Sequence, residues 1–248
     1  MLVHSDYRNI YMPVNINCDM GEGVGNDELI MPFINSANIA CGYHAGDSTT
    51  IWQTAELAIK HKVTIGAHVS FFDKKNFGRS EMQLSGDEVY ELVLQQLIIL
   101  NEITTALDAK INHVKPHGAL YNMAARDAAL AQVIAKAIKD FDSSIILVGL
   151  SGSYSISEAK KSGLKTASEV FADRSYQDDG SLTHRSQPNA LIEDVNKVVK
   201  QVLQIIKERT VTTLSGKIIP VIADTVCIHG DGKQAVEFAK AIHTAVKT

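Results

Sequence analysis

The chain has 248 residues, 45% of them hydrophobic and 21% charged, with a formal net charge of −4 at pH 7. That balance describes a globular chain able to bury a large core without metal or disulfide support, and it argues against a nucleic-acid or membrane-surface partner, because no basic run exceeds a pair. Three cysteines, Cys18, Cys41 and Cys227, are too few and too uneven for a disulfide framework and fit a reducing cytosol, and no stretch reaches the roughly 18 apolar residues of a membrane span.

The N-terminal segment MLVHSDYRNIYMP lacks the apolar run of a signal peptide. From residue 14 onward, short apolar runs alternate with helical patterns. The first run is VNINCDM, 14–20. Strand side chains alternate in direction, so Asn15, Asn17 and Asp19 share one face and Val14, Ile16, Cys18 and Met20 the other. A polar face is unusual for a strand that lines a core. Asp19 lies at its carboxyl end, and GEGVG with Glu22 follows at once. The second run, ANIACGY (37–43), leads to His44 and Asp47. Asp47 and Ser48 are also candidate caps for a helix over 48–61.

VTIGAH (63–68) ends on His68, and a glycine- and charge-rich loop follows. Ser85 with Glu88 three residues on is a capping-box pattern, opening a long helix to 108 whose aliphatic stripe belongs in the core. The fourth run, INHVKPH (111–117), carries His113, Lys115 and His117 at alternate positions. If it is extended, all three face one interior and Pro116 points the other way, where it removes no needed ladder bond. The continuation HGALYN reads as a loop, with a helix over 127–140. IILVGL (145–150) precedes a helix near 153–162. KTASEVFA (165–172) runs into a polar loop that begins with Asp173 and Arg174. A helix over 189–208, a seventh run IPVIADTVCIHG (219–230) that reaches His229 and Asp231, and a last helix over 231–247 complete the chain.

Runs alternating with helices imply βαβ units and parallel pairing. Either a closed barrel or an open doubly wound sheet fits, and in both the ligand sits at the carboxyl ends of the strands. The ionisable residues gather at those ends. A lone histidine is ordinarily a surface or core residue, and His4, His61, His184 and His243 are read that way. His44, His68, His117 and His229 at four strand ends point to a shared site. Nearby glycines (Gly42, Gly46, Gly66, Gly118, Gly230) would let backbone approach a ligand. The cysteines read as small buried packing groups rather than nucleophiles.

Asp19, His44, His68 and His117 could hold Zn²⁺ with one position left for water. A lysine beside them argues against a tightly held metal unless anions intervene. Lys115 suits an anion instead, a carboxylate or a phosphorylated oxygen, with Asp19 and the histidines as general acid and base. Neither G-x-x-x-x-G-K-[ST] nor G-x-S-x-G occurs in the sequence.

NCDMGEG, SANIACGYHAGD, GAH followed by FFD and FGRS, HVKPHGALYN, EVFADRSYQDDGSLTHRS and VCIHGDG together resemble the LamB/YcsF family, from about residue 14 to the last helix. The resemblance implies an irregular seven-stranded β/α barrel like those of glycoside hydrolases and polysaccharide deacetylases, here a single domain over 1–248. It also implies ATP-dependent opening of the 5-oxoproline lactam to L-glutamate, shared with partner subunits B and C. Carried over by motif, the candidates are Asp19, Glu22, His44, Asp47, His68, Lys115, His117, Asp173, Arg174, His229 and Asp231. We assign Asp19, His44, His68, Lys115 and His117 to catalysis and the rest to substrate binding. ATP is the expected cofactor, handled largely by the partners, and a divalent metal is left open. Two departures from the family pattern stand out: Val69 replaces the usual proline after GAH, and the chain starts ahead of the usual beginning near Met12, so residues 1–12 are read as an extension. The competing readings are a metal-dependent deacetylase or amidohydrolase that needs no ATP, and a non-catalytic scaffold for the other subunits.

Overall fold

The structure, a computed structural model, describes residues 14–247. The expected N-terminal extension lies outside them. Seven parallel strands close on themselves: β1 (Asn15–Met20), β2 (Ser36–Ala40), β3 (Thr64–His68), β4 (His113–Val114), β5 (Ile146–Leu150), β6 (Lys165–Phe171) and a last strand, β9 (Thr225–Ile228), which pairs with both β6 and β1. Closure decides between the two sheet types left open above. Helices α1 (Asp27–Ile30), α2 (Ser48–His61), α3 (Gly86–Ala106), α4 (Gly118–Arg126), α5 (Ala128–Phe141), α6 (Tyr154–Ser162), α7 (Val195–Glu208) and α8 (Ala235–Ala245) accompany the strands.

Several boundaries differ from expectation, each for a local reason. The run IPVIADTVCIHG is two elements. Ile218–Pro220 (β8) pairs antiparallel with Thr210–Thr212 (β7) as a separate hairpin, and only Thr225–Ile228 enters the barrel. HGALYN is the start of α4 rather than a loop. Helix α7 begins at Val195 instead of 189, because Asp194 caps it by accepting from Lys197 N at 2.9 Å. The last helix starts at Ala235, four residues later than expected. The capping box at Ser85 and Glu88 is present as read.

Alternation along β1 has the predicted consequence. Ile16, Cys18 and Met20 belong to the hydrophobic core, while Asn15, Asn17 and Asp19 join a polar network inside the barrel. Asn17 donates to Thr225 Oγ1 at 2.7 Å. Asn38 donates to Asn17 Oδ1 and to Asp19 Oδ1, both at 2.8 Å. His113 Nε2 meets Asn38 Oδ1 at 2.8 Å. Fully satisfied networks of this kind fix a unique packing, because an unpaired member costs its whole desolvation.

His113 occupies space that only glycine leaves open. A Cβ on Gly66 would stand 2.0 Å from His113 Nε2. Gly66→Ala is therefore expected to destabilise by about 1–3 kcal/mol through overpacking. Urea unfolding of Gly66→Ala, His113→Ala and the double variant checks this: the double should be more stable than the sum of the single losses, and simple additivity would show that crowding is not the cause.

Burial, with Lys115 nearby, pushes the His113 imidazole down to about 3. Its folded value lies below the ordinary 6.5 or so, so the unfolded chain takes up the proton first. This contribution to stability is full above that ordinary value and is lost as pH falls towards 3. Between pH 7 and 5 the loss from this one group is about 2 kcal/mol. Glu22, pushed up by burial and by Asp19, changes stability in the opposite sense over the same range. The clean comparison is therefore His113→Gln against the parent in urea unfolding at pH 7 and pH 5. The variant should show a pH-dependent loss smaller by that amount, and an identical loss would mean that His113 does not titrate.

Candidate active site at the carboxyl mouth of the barrel

A cleft of about 520 Å³ opens at the carboxyl ends of the strands, with Asp19, His68, Lys115, His117, Tyr121, Phe171 and His229 among its walls. At its base lies Lys115, 2% exposed, on the extended backbone that continues β4. Lys115 N and His117 N donate to Ala67 O at 3.0 Å and Val69 O at 2.7 Å, so the alternation read from INHVKPH persists past the two-residue strand. Val69 thus fills its family-atypical position without disturbing the pairing.

Lys115 Nζ sits 2.8 Å from Asp19 Oδ1, 3.0 Å from Glu169 Oε1 and 3.0 Å from Cys227 Sγ. Burial alone would discharge this amine, but Asp19 and Glu169 outweigh it and hold Lys115 charged, above the usual range. Burial likewise opposes ionisation of Asp19, yet His68 and Lys115 outweigh the penalty and hold its carboxyl well below the usual range. Cys18, Cys41 and Cys227 are free, and burial raises all three thiols, Cys41 to about 12, so they stay protonated as packing groups.

The imidazoles gather on the other side of Asp19. His68 Nε2 lies 3.3 Å from Asp19 Oδ2 and 2.8 Å from His117 Nδ1, while its Nδ1 meets Lys115 O at 2.8 Å. His117 Nε2 meets Phe77 O at 2.9 Å. His44 stacks on His117 with ring centroids 3.9 Å apart, and its Nε2 is 3.2 Å from Glu22 Oε1. Burial lowers His44 and His117, and neighbouring imidazoles lower them further.

The loop between β3 and α3 packs closely over this cluster. Gly118 has φ +54°, and a Cβ there would meet Gly78 O at 2.4 Å. The expectation that the glycines admit a ligand is corrected at four of the five: Gly46, Gly66, Gly118 and Gly230 admit Gly21 O, His113, Gly78 O and Asp19 O respectively, while Gly42 borders open space.

The remaining candidates divide. His229 Nδ1 pairs with Asp173 Oδ1 at 2.8 Å and its ring stacks on Phe171, which places both residues at the mouth. Asp173 is held below its usual range: burial opposes this, but His229 outweighs it. Asp231 meets Arg79 at 2.7 Å on the rim. Arg174 lines the cleft but spends its guanidinium on the polar loop, donating to Thr183 O at 2.6 Å and Ala190 O at 3.3 Å. Asp47 stands away from the cluster as the exposed cap of α2, accepting from Thr50 N at 2.8 Å. Glu169, 0% exposed, was not foreseen. Its signal was a lone acid on the inward alternation of KTASEVF.

This is the irregular seven-stranded kind of β/α barrel, with its ionisable groups concentrated at one mouth. The chain belongs to the LamB/YcsF family, which residues 14–248 match. It is 50% identical over 236 residues to a protein of Staphylococcus aureus strain Newman named as the A subunit of 5-oxoprolinase, covering 93% of this chain and 94% of that protein. The solved structure of a lactam utilization protein from Thermus thermophilus superposes with a TM-score of 0.89 at 41% identity, covering 95% of this chain and 96% of that one. A family 4 carbohydrate esterase from Streptomyces lividans, at 11% identity and a TM-score of 0.51, shares the fold alone.

Proposed function

We propose that this chain is the A subunit of an ATP-dependent 5-oxoprolinase, opening the lactam of 5-oxoproline to L-glutamate together with subunits B and C in the cytoplasm. The observation that carries the reading is the end-to-end likeness to the Staphylococcus aureus protein of that name, 50% identical across 93% of the chain. The chemistry of the cleft agrees with it. A lactam is a poor electrophile; phosphorylation of its oxygen by ATP, with loss of ADP, opens the carbonyl carbon to water. Expulsion of the ring nitrogen followed by cleavage of the acyl phosphate by a second water leaves L-glutamate and inorganic phosphate. Asp19, ionised at the base of the cleft, takes the proton from the first water and returns it to the departing ring nitrogen. Lys115 opposes the charge that builds on the reacting oxygen. His229 and Arg79 at the mouth receive the substrate carboxylate. The sequence has no Walker-type phosphate loop, so the partners supply much of the nucleotide chemistry.

The test is glutamate release from 5-oxoproline by the chain alone and with subunits B and C, each with and without ATP. Glutamate only with partners and ATP is the expected result. Glutamate from the chain alone without ATP, or none from a complex shown to assemble, would overturn the reading.

A further inference from the structure

The imidazoles of His44, His68 and His117 have their outer nitrogens committed. A neutral imidazole carries one N–H and one lone pair, and the partner of each nitrogen decides which is which. His68 Nδ1 faces a carbonyl, Lys115 O at 2.8 Å, so in the neutral ring it is the donor and Nε2, which also faces Asp19 Oδ2 at 3.3 Å, is bare. His117 Nε2 faces Phe77 O at 2.9 Å, so it is the donor and Nδ1 is bare. His44 Nδ1 faces Ser70 Oγ at 2.9 Å, and that hydroxyl gives its single proton to Phe71 O at 2.9 Å. His44 Nδ1 is therefore the donor, and its Nε2 is bare.

The three bare nitrogens then lie close together, and because the His44 and His117 rings are stacked, at 8° to one another, one of them turns for both lone pairs to meet a single ion. The bare nitrogens of His68 and His117 are 2.8 Å apart, and His44 Nε2 faces a carboxylate oxygen, Glu22 Oε1, at 3.2 Å. The four atoms lie within 4.8 Å of one another. Lone pairs brought together in this way repel unless something electron-poor stands among them. Imidazoles whose far N–H is held by a carbonyl or a fixed hydroxyl are the usual form of histidine metal ligands.

We propose that Glu22, His44, His68 and His117 bind one divalent transition-metal ion of the zinc class. Three neutral nitrogens and one carboxylate oxygen match the preference of Zn²⁺, at about 2.0–2.2 Å from each. This set differs from the one expected from sequence, which held Asp19 instead of Glu22. Asp19 gives Oδ1 to Lys115 and to Asn38, each at 2.8 Å, and its Oδ2 faces His68 Nε2 at 3.3 Å, so it adjoins this set, whereas the Glu22 oxygen lies within 4.8 Å of all three nitrogens. The objection that a lysine repels the ion is answered by the same contacts, since Asp19 and Glu169 flank its charge. A second grouping, Asp19, Cys227 and His229, is disfavoured because Lys115 Nζ lies 3.0 Å from the Cys227 sulfur. The assignment concerns ion binding alone and stands or falls independently of the lactam reading.

The full chain, stripped with chelator, is titrated with Zn²⁺ by calorimetry and with Co²⁺ followed by its visible absorption. One equivalent with a tetrahedral cobalt spectrum is expected. His44→Ala and His117→Ala should abolish it. Ser70→Ala, which removes the partner of His44 Nδ1 together with the hydroxyl's bond to Phe71 O, should weaken binding by roughly 10–100-fold. If the histidine variants do not fold by circular dichroism, Ser70→Ala and Glu22→Gln carry the test. Absence of stoichiometric binding, or binding unchanged in the folded variants, would overturn the assignment. So would a proton shared between His68 and His117, seen by nitrogen NMR with zinc in excess.

Discussion

Asp19→Asn in the assembled 5-oxoprolinase is expected to lower the rate of glutamate formation by about 10²–10⁴-fold, the usual worth of a positioned acid–base group. The asparagine keeps the shape of the aspartate and its reach towards Asn38 and Lys115. It cannot take a proton, and it turns a neutral amide towards an ammonium that relies on a carboxylate 2.8 Å away. The loss should fall on kcat more than on KM, because Asp19 lies at the floor of the cleft and the proposed carboxylate contacts lie at its mouth. Circular dichroism confirms that the variant is folded before its rate is read. Turnover within a few-fold of the parent would remove Asp19 from the chemistry and turn the barrel into a scaffold for its partners.

Lys115→Met should cost about 3–5 kcal/mol of stability at pH 7, the scale of breaking a buried ion pair from one side. Methionine fills much of the lysine's path but leaves Asp19 and Glu169, 6% and 0% exposed, with no cation between them. At least one carboxyl must then stay protonated in the folded chain, so its folded value rises above the unfolded one. The sign follows: the variant holds on to more of its stability in acid and loses it as pH rises through that raised value. Urea unfolding at pH 5 and pH 7 measures this. Lys115→Met with Glu169→Gln removes one of the two opposed charges and should recover a large part of the loss. A double variant no more stable than Lys115→Met alone would mean that Glu169 is not coupled to the lysine.

The parts of this architecture written in local pattern were legible. NINCDM shows its two faces because one face is polar throughout, and INHVKPH shows its inward row because the ionisable residues fall at every second position. Strand ends carrying His44, His68, His117 and His229 disclosed the mouth before any closure was known. What stayed hidden depends on distant partners. Glu169 is meaningful only beside Lys115, a residue from another strand, and its place on the inward alternation of KTASEVF does not disclose that partner. Helix α4 was masked by Pro116, Gly118 and Asn122, which signal a turn; tertiary packing overrides them, with Gly118 turning under Gly78 and Asn122 donating to Gly118 O at 2.9 Å. The approach of Glu22 to His44, 3.2 Å, depends on how two separate strand ends meet, and no spacing encodes that.

The seam between the first and last strands sets a timetable for synthesis. Asn17 and Thr225, joined by a 2.7 Å hydrogen bond, are 208 residues apart. A ribosome delivers the N-terminal strand first, at roughly 5–20 residues per second, so its polar inner row waits on the order of ten seconds or longer for its neighbour. During that interval the flank of β1 that will receive β9 is an open edge, inviting other chains to pair with it. The site is therefore completed late, and a chain released before Thr225 would carry most of the ionisable residues yet lack the strand that closes the ring around them.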